Sequence, residues 1–385
     1  MSLWKPIFLI LCCWGIAACV EVYDTSFRFS SDVITVDGFV TNDAPVSVFL
    51  RRAKSAGRNY YADPLRNCQA EVRVSNGTTI KLTEFSSGYY VSAADFRGVA
   101  GQTYQLRFTT PEGQTYESQP ELLNAAPPIL KAYHEFNRNG FLDRTGTRPL
   151  YSSLDIYVDF ADPPTQKNFY LWKWTDFEEQ YVCASCEGGL LDAKTEQCIP
   201  QRNSRTIYDY RCNGNCWDII SSTDVNIFSD VFTNGRTVVA RSVGKIPFYD
   251  LGTPFSNRAS LVDVQQYAIT GEAYEYYKLL RDQTQTTGSL TDTPPAPIIG
   301  NVRNVTDPNE KIVGYFAAAG LSSTRLFVDK RPYRPNALPA LLLGRTVNLE
   351  PDSPPAPPLF EIRPPLATCV PSAIRTNRKP TGWLL

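Results

Sequence analysis

The chain has 385 residues, 43% of them hydrophobic, with a formal net charge of −1, one His and 10 Cys. That hydrophobic fraction excludes a disordered chain, and the near-neutral balance excludes the basic footprint of a nucleic-acid binder. The lone histidine excludes zinc chemistry of the two-histidine HExxH kind, while 21 Tyr, 20 Phe, 29 Pro and 23 Gly favour strands and turns.

Chain order begins with Lys5 and an apolar stretch over residues 6–18, followed by Cys19. The stretch is too short for a spanning helix, which needs about 20 apolar residues, and fits the core of a signal peptide. Ile16-Ala17-Ala18-Cys19 reads as a bacterial lipobox with Ile where Leu is usual. Residues 1–18 are therefore expected to leave as a lipoprotein signal peptide, and Cys19 to carry a diacylglyceryl group; a plain secretory signal is the competing reading. Each buried CH₂ contributes about 0.8 kcal/mol, and stable anchoring takes more than one acyl chain. Val20 rather than Asp follows the cysteine, so the enterobacterial inner-membrane retention signal is missing. The expected address is the outer membrane, at its surface or periplasmic face, with residues 19–31 as the tether.

From residue 32, β-rich segments alternate with turns. Val33-Ile34-Thr35-Val36 opens the series, Asn76-Gly77 sits between two such segments, and Pro111-Glu112-Gly113 marks a second hairpin. Some seven short strands predict an immunoglobulin-like β-sandwich over residues 32–122. Leu123-Asn124-Ala125-Ala126-Pro127-Pro128 reads as a boundary. Residues 129–385 are then expected to form a larger β-rich second domain. In it, residues 153–160 alternate apolar and polar, and residues 168–177 return as an aromatic strand. A Cys-rich insertion spans 182–217 and an amphipathic helix is predicted over 261–283, with Ile269, Ala273, Tyr276 and Leu280 on one face. Residues 311–319 and 324–329 read as two closing strands, and the proline-rich segment 351–365 as extended.

Cysteine is the richest chemical lead. Cys12 and Cys13 depart with the signal, leaving Cys68, Cys183, Cys186, Cys198, Cys212, Cys216 and Cys369 besides the lipidated Cys19. In an oxidising envelope compartment these are disulfide candidates, each bridge worth about 2–4 kcal/mol, and their odd number leaves one thiol over. The sharper alternative is a zinc site on Cys183, Cys186, Cys212 and Cys216, whose spacing suits four thiolates. His134, after a proline-rich joint, is expected to be an ordinary loop histidine. Residues 135–143 have the oxygen-bearing side chains of a calcium loop but lack its acidic ligands. Glu178-Glu179 and Glu272 with Glu275 are carboxylate pairs of the kind that glycoside hydrolysis uses, and are equally solvated surface. Trp172, Trp174 and Trp217 suit either a sugar or peptide platform or ordinary packing.

Several short motifs fall in a recognisable order: Asp37-Gly38-Phe39-Val40-Thr41-Asn42, Gly88-Tyr89-Tyr90, Gly101-Gln102-Thr103-Tyr104, Ala273-Tyr274-Glu275-Tyr276-Tyr277, Gly300-Asn301-Val302 and the tail Lys379-Pro380-Thr381-Gly382-Trp383. In that order the chain resembles the Bacteroidota outer-membrane lipoproteins grouped as domain-of-unknown-function family DUF4249. The family's late cysteine has a close second one, whereas Cys369 here stands alone. The resemblance implies no reaction and no cofactor. It implies a non-catalytic accessory or ligand-binding subunit beside a TonB-dependent β-barrel receptor, with an unknown small ligand, glycan or peptide. The alternatives are a surface glycan- or peptide-acting hydrolase and a structural or adhesive envelope protein.

Overall fold

The computed structural model describes residues 32–338 and 371–384, apart from 57–58, 144–145, 165–166, 180–181, 188, 192–197, 201–207, 215, 249–258 and 286–297. It is mainly β. Nine strands come first: β1 (Asp32–Thr41), β2 (Ser47–Ala56), β3 (Asn59–Pro64), β4 (Gln69–Val74), β5 (Thr79–Ser86), β6 (Tyr89–Val91), β7 (Thr103–Thr109), β8 (Thr115–Ser118) and β9 (Glu121–Leu122). The hairpin at Asn76-Gly77 forms because Gly77 takes φ 87° without a steric penalty. The Asn76 side chain accepts from the Thr78 amide at 2.9 Å and fixes the turn. Along β7, Tyr104, Leu106 and Phe108 alternate inward and meet Ile34, Val36, Val48 and Leu50 of β1 and β2 in one buried core. Each such side chain contributes about 1.5–3 kcal/mol on burial.

The chain then forms β10 (Ile129–Leu142), β11 (Pro149–Ala161) and β12 (Phe169–Glu179). Four short strands follow, β13 (Val182–Glu187), β14 (Gly189–Leu191), β15 (Cys198–Pro200) and β16 (Tyr208–Gly214), paired β13 with β16 and β14 with β15. After them come β17 (Trp217–Ser221), β18 (Asn226–Ser229), β19 (Thr237–Phe248) and β20 (Ala259–Ile269), helix α1 (Gly271–Gln285), β21 (Val302–Asn304), β22 (Val313–Asp329), a 3₁₀ turn (Arg331–Asn336) and β23 (Arg375–Thr376).

A sheet of order β10-β11-β19 lies against the run β22-β20-β12-β17. Leu154, Ile156, Val158 and Phe160 of β11 meet Tyr170, Trp172 and Trp174 of β12 between them. The opposite face of β12 and β20 is covered by α1, through Ala273 and Tyr277.

Two closing strands were expected; instead residues 313–329 form one continuous strand that serves both halves. Its first part pairs in parallel with β1, from Thr35 opposite Val313 to Thr41 opposite Ala319. Its second part pairs antiparallel with β20, from Gly320 opposite Ala268 to Asp329 opposite Ala259. Gly314 (φ 98°) makes the first pairing possible: a Cβ there would stand 1.9 Å from the Val36 carbonyl oxygen. The Asn42 side chain extends the ladder, accepting from the Leu321 amide at 2.6 Å and donating to its carbonyl at 3.3 Å. β21 likewise pairs with β8. The strands expected to stand alone over residues 32–122 are thus completed by residues from far downstream.

The helix expected over 261–283 starts at Gly271, and residues 259–269 are strand β20. The segment is buried on both faces, because it packs against β11 and β19 on one side and α1 on the other; its apolar residues therefore do not keep to alternate positions. Thr270 starts the helix: its hydroxyl accepts from the Ala273 amide at 3.2 Å and its carbonyl from the Tyr274 amide at 3.0 Å. His134 also departs from its expected loop. It lies in β10 opposite Ile156, with Nε2 3.1 Å from the Tyr333 hydroxyl, and burial lowers its pKa. Glu135, Asn137 and Asn139, which lack the acidic ligands of a calcium loop and were expected in a plain turn, share that strand.

Candidate ligand-binding site

Because β22 joins the two halves, one continuous face carries residues from β1, β22, β20 and β12. Strand alternation puts Asp37 and Phe39 of β1, Tyr315 and Ala317 of β22, Gln265 and Tyr267 of β20, and Leu171 and Lys173 of β12 on it. Helix α1 covers part of that face. Beside it run two clefts of about 340 Å³ and 280 Å³, and both are lined by Asp37 and Lys173. A third cleft of about 550 Å³ shares Asp224 and Val225 with the first and reaches Arg241 and Arg281. Together they form a groove.

Lys173 is the central group. It is half-buried, with Nζ 4.3 Å from the Phe39 ring centroid and 5.8 Å from that of Tyr267. Such contacts contribute about 0.5–2 kcal/mol. Among the described residues it makes no ion pair. Burial pushes its pKa down, and the charge on Asp37 works in the opposite direction. The tyrosines around it stay protonated, since burial pushes Tyr267 and Tyr276 up to about 12 and Tyr315 further. They are hydroxyl donors at any physiological pH.

Behind the wall stands Glu121, 3% exposed. It accepts from the Tyr315 hydroxyl at 2.5 Å, the Thr270 hydroxyl at 2.7 Å and the Asn301 amide at 3.2 Å. Burial still raises its pKa, against the effect of these three donors. The network ties β9, the start of α1 and β22 together, so the groove wall is set by buried contacts and not by loops.

A cleft of about 620 Å³ over β4, β5 and β7 is larger. There Glu84 accepts from the Asn67 and Gly88 amides at 2.8 and 2.9 Å, Arg107 pairs with Glu117, and Lys81 is exposed. The groove differs in holding a half-buried cation without a carboxylate at ion-pair distance among the described residues.

Cys68, at the rim of that larger cleft, is a free and buried thiol. This removes it from the expected disulfide set. Its sulfur lies 3.9 Å from the Leu65 and Arg66 carbonyls, and no other cysteine of the described residues is near. Desolvation raises its pKa, so it is held as a thiol. Cys216 is fully buried just before β17. The side chains of Cys183, Cys186, Cys198 and Cys212, and with them three of the four zinc candidates, lie outside the described residues. So do Cys19, Cys369, the signal and tether, and the proline-rich segment.

The tryptophans weighed as a platform are core: Trp172, Trp174 and Trp217 are all buried. Glu178 is buried in an ion pair with Lys330, and Glu272 and Glu275 are exposed on α1. The groove residues Asp37, Lys173 and Arg241 were not singled out from sequence. One signal was present: Lys173 interrupts the aromatic run Tyr170-Leu171-Trp172-Lys173-Trp174, between two buried tryptophans.

The family model described as "Domain of unknown function (DUF4249)" matches residues 20–325. No curated protein matches the chain.

Proposed function

The chain belongs to the DUF4249 family, and from that premise we propose that it is a lipid-anchored outer-membrane protein that binds a ligand beside a TonB-dependent β-barrel receptor. The observation that carries the binding role is Lys173, a half-buried cation over two aromatic rings, without an ion pair among the described residues, between two adjoining clefts. A protein leaves a desolvated charge unmatched at a cost, and ligand sites are where that cost is recovered. The Ile16-Ala17-Ala18-Cys19 sequence supports the anchor, through a diacylated Cys19. On this reading the N-terminal strands form an immunoglobulin-like sandwich, and disulfides staple the insertion over 182–217.

Affinity capture of the acylated full-length protein from its native envelope tests the role. Co-recovery of an outer-membrane β-barrel receptor is expected; repeated recovery without any β-barrel overturns it.

One observation favours a second reading, a glycan-acting hydrolase. Asp37 and Asp224 line the same tyrosine-walled cleft, and glycoside hydrolysis uses two carboxylates across a cleft. Hydrolysis of an oligosaccharide panel that is lost in both Asp37→Asn and Asp224→Asn would establish it. Absence of turnover across the panel dismisses it.

A further inference from the structure

Arg241 carries an unmatched charge at the far end of the groove. Its Nη2 donates to Asn226 Oδ1 at 2.9 Å and to the Ile227 carbonyl at 3.1 Å. Its Nε is buried and donates to nothing. The guanidinium lies over the rings of Phe228 and Trp172, at 5.0 and 5.2 Å. Among the described residues no carboxylate pairs with it. Burial lowers its pKa, Tyr274 works in the opposite direction, and the cation Arg281 adds to the lowering. Arg281 is itself held by the adjacent Asp282 at 2.9 Å. Both guanidinium groups line one cleft of about 550 Å³, with Asp224 beside them, and an anion that bridges the two relieves their repulsion.

The backbone before Arg241 is strained. Ala240 has φ 55°, a left-handed conformation that costs a residue with a Cβ about 1–2 kcal/mol. It sits in an irregular stretch of β19, where the register with β11 slips on both sides, and Asp159 fixes it by accepting from the Ala240 amide at 2.8 Å. Bulges of this kind re-aim a side chain, and stored strain of this kind gathers at ligand sites.

The middle of the groove has a different chemistry. Asp37 and Asp224 present acceptors, Ser222 and Thr223 present hydroxyls, and Tyr276 and Tyr315 stand in the wall. A polyacidic peptide offers only backbone amide donors and sets a negative charge on every residue against those carboxylates. A sugar brings a ring of hydroxyl donors and a face that packs on tyrosine.

We propose that the groove binds an acidic oligosaccharide, with a carboxylate or sulfate group held between Arg241 and Arg281 and neutral hydroxyls along Asp37 and Asp224. This rests on the reading of the groove as a ligand site.

Isothermal titration of the full chain tests it. The probes are 3′-sialyllactose, an aldotetraouronic acid and a hyaluronan tetrasaccharide, each with uncharged units beside its acidic ones. Neutral cello-, malto- and xylotetraose and tetraglutamate complete the set. At least one acidic saccharide is expected to bind ten times more tightly than every neutral one, with affinity falling as salt rises. Arg241→Gln is expected to weaken it at least tenfold. Arg281→Gln, partly exposed in the last turns of α1, is expected to do the same, which keeps the test valid if the Arg241 variant misfolds. Equal affinity for neutral saccharides, or unchanged affinity in Arg281→Gln, overturns the anionic assignment and leaves the groove standing as a ligand site. Preference for tetraglutamate overturns the saccharide with the same consequence. Binding of none of the probes overturns this proposal, and capture of the receptor decides the accessory role separately.

Discussion

Two lysines of this molecule meet burial in opposite ways. Lys330, at the end of β22, is fully buried with Nζ 2.8 Å from Glu178 Oε1. Lys173, on the shared face, is half-buried against aromatic rings and has no carboxylate at ion-pair distance among the described residues. Both lose hydration. The first is compensated inside the fold, so it is part of what holds β22 to β12 and the 3₁₀ turn. The second is compensated by ring faces and by the more distant charge on Asp37, which return less than a carboxylate in direct contact does. A matched buried charge thus marks structure, and an unmatched one marks a place for something from outside.

The widest separation between the two should come from removal. Lys330→Ala takes the cation away from a buried carboxylate and is expected to cost about 3–5 kcal/mol, measured by urea unfolding. A loss under about 1 kcal/mol would show that Glu178 is hydrated and would erase the contrast.

Next is the wall behind Lys173. Glu121 binds its proton more tightly folded than unfolded, because burial raises its pKa above 4.5. Its contribution therefore favours folding at low pH, declines as pH rises through 4.5 toward the raised value, and is constant above it. Glu121→Gln is expected to remove that decline from unfolding curves collected across this range; an unchanged pH profile in the variant would show that Glu121 titrates as an ordinary carboxylate.

Ala240→Gly should relieve the left-handed strain and raise stability by about 1 kcal/mol, read as a shift of the urea midpoint at constant slope. Destabilisation would mean that the conformation carries no strain. The smallest stability effect is expected at Lys173 itself. Lys173→Met keeps the stem and deletes an uncompensated charge, so thermal unfolding should change by less than about 1 kcal/mol, toward greater stability. A large loss would place Lys173 with Lys330, as a structural group.

The strands were legible wherever one face is buried and the other wet. β7 shows it cleanly, as Tyr104, Leu106 and Phe108 alternate with Gln105 and Arg107. Hairpin chemistry at Asn76-Gly77 was legible too, since a left-handed glycine is required there. The start of α1 was not, because β20 is covered on both sides, so its apolar residues are not confined to alternate positions and fit strand and helix alike. β10 was hidden by its composition: Lys131, His134, Glu135 and Asn137 lie in a strand with few fully buried side chains. The groove was the least legible part. Asp37, Lys173 and Arg241 come from three strands far apart in sequence, and each looks like surface polarity until β22 and the irregular turn of β19 bring them onto one line.

The double pairing of β22 has a consequence for how the molecule is made. The strands from β1 onward emerge first, and β2 covers one edge of β1, yet the neighbour on its other edge is not synthesised until residues 313–319. Until then that edge stays open, a template for pairing with any extended chain it meets. Maturation must therefore wait for the last part of the polypeptide, and a fragment cut before residue 313 is expected to aggregate rather than fold. Once β22 is in place, loosening either half pulls on the same seventeen-residue strand, so the two halves should melt in a single transition.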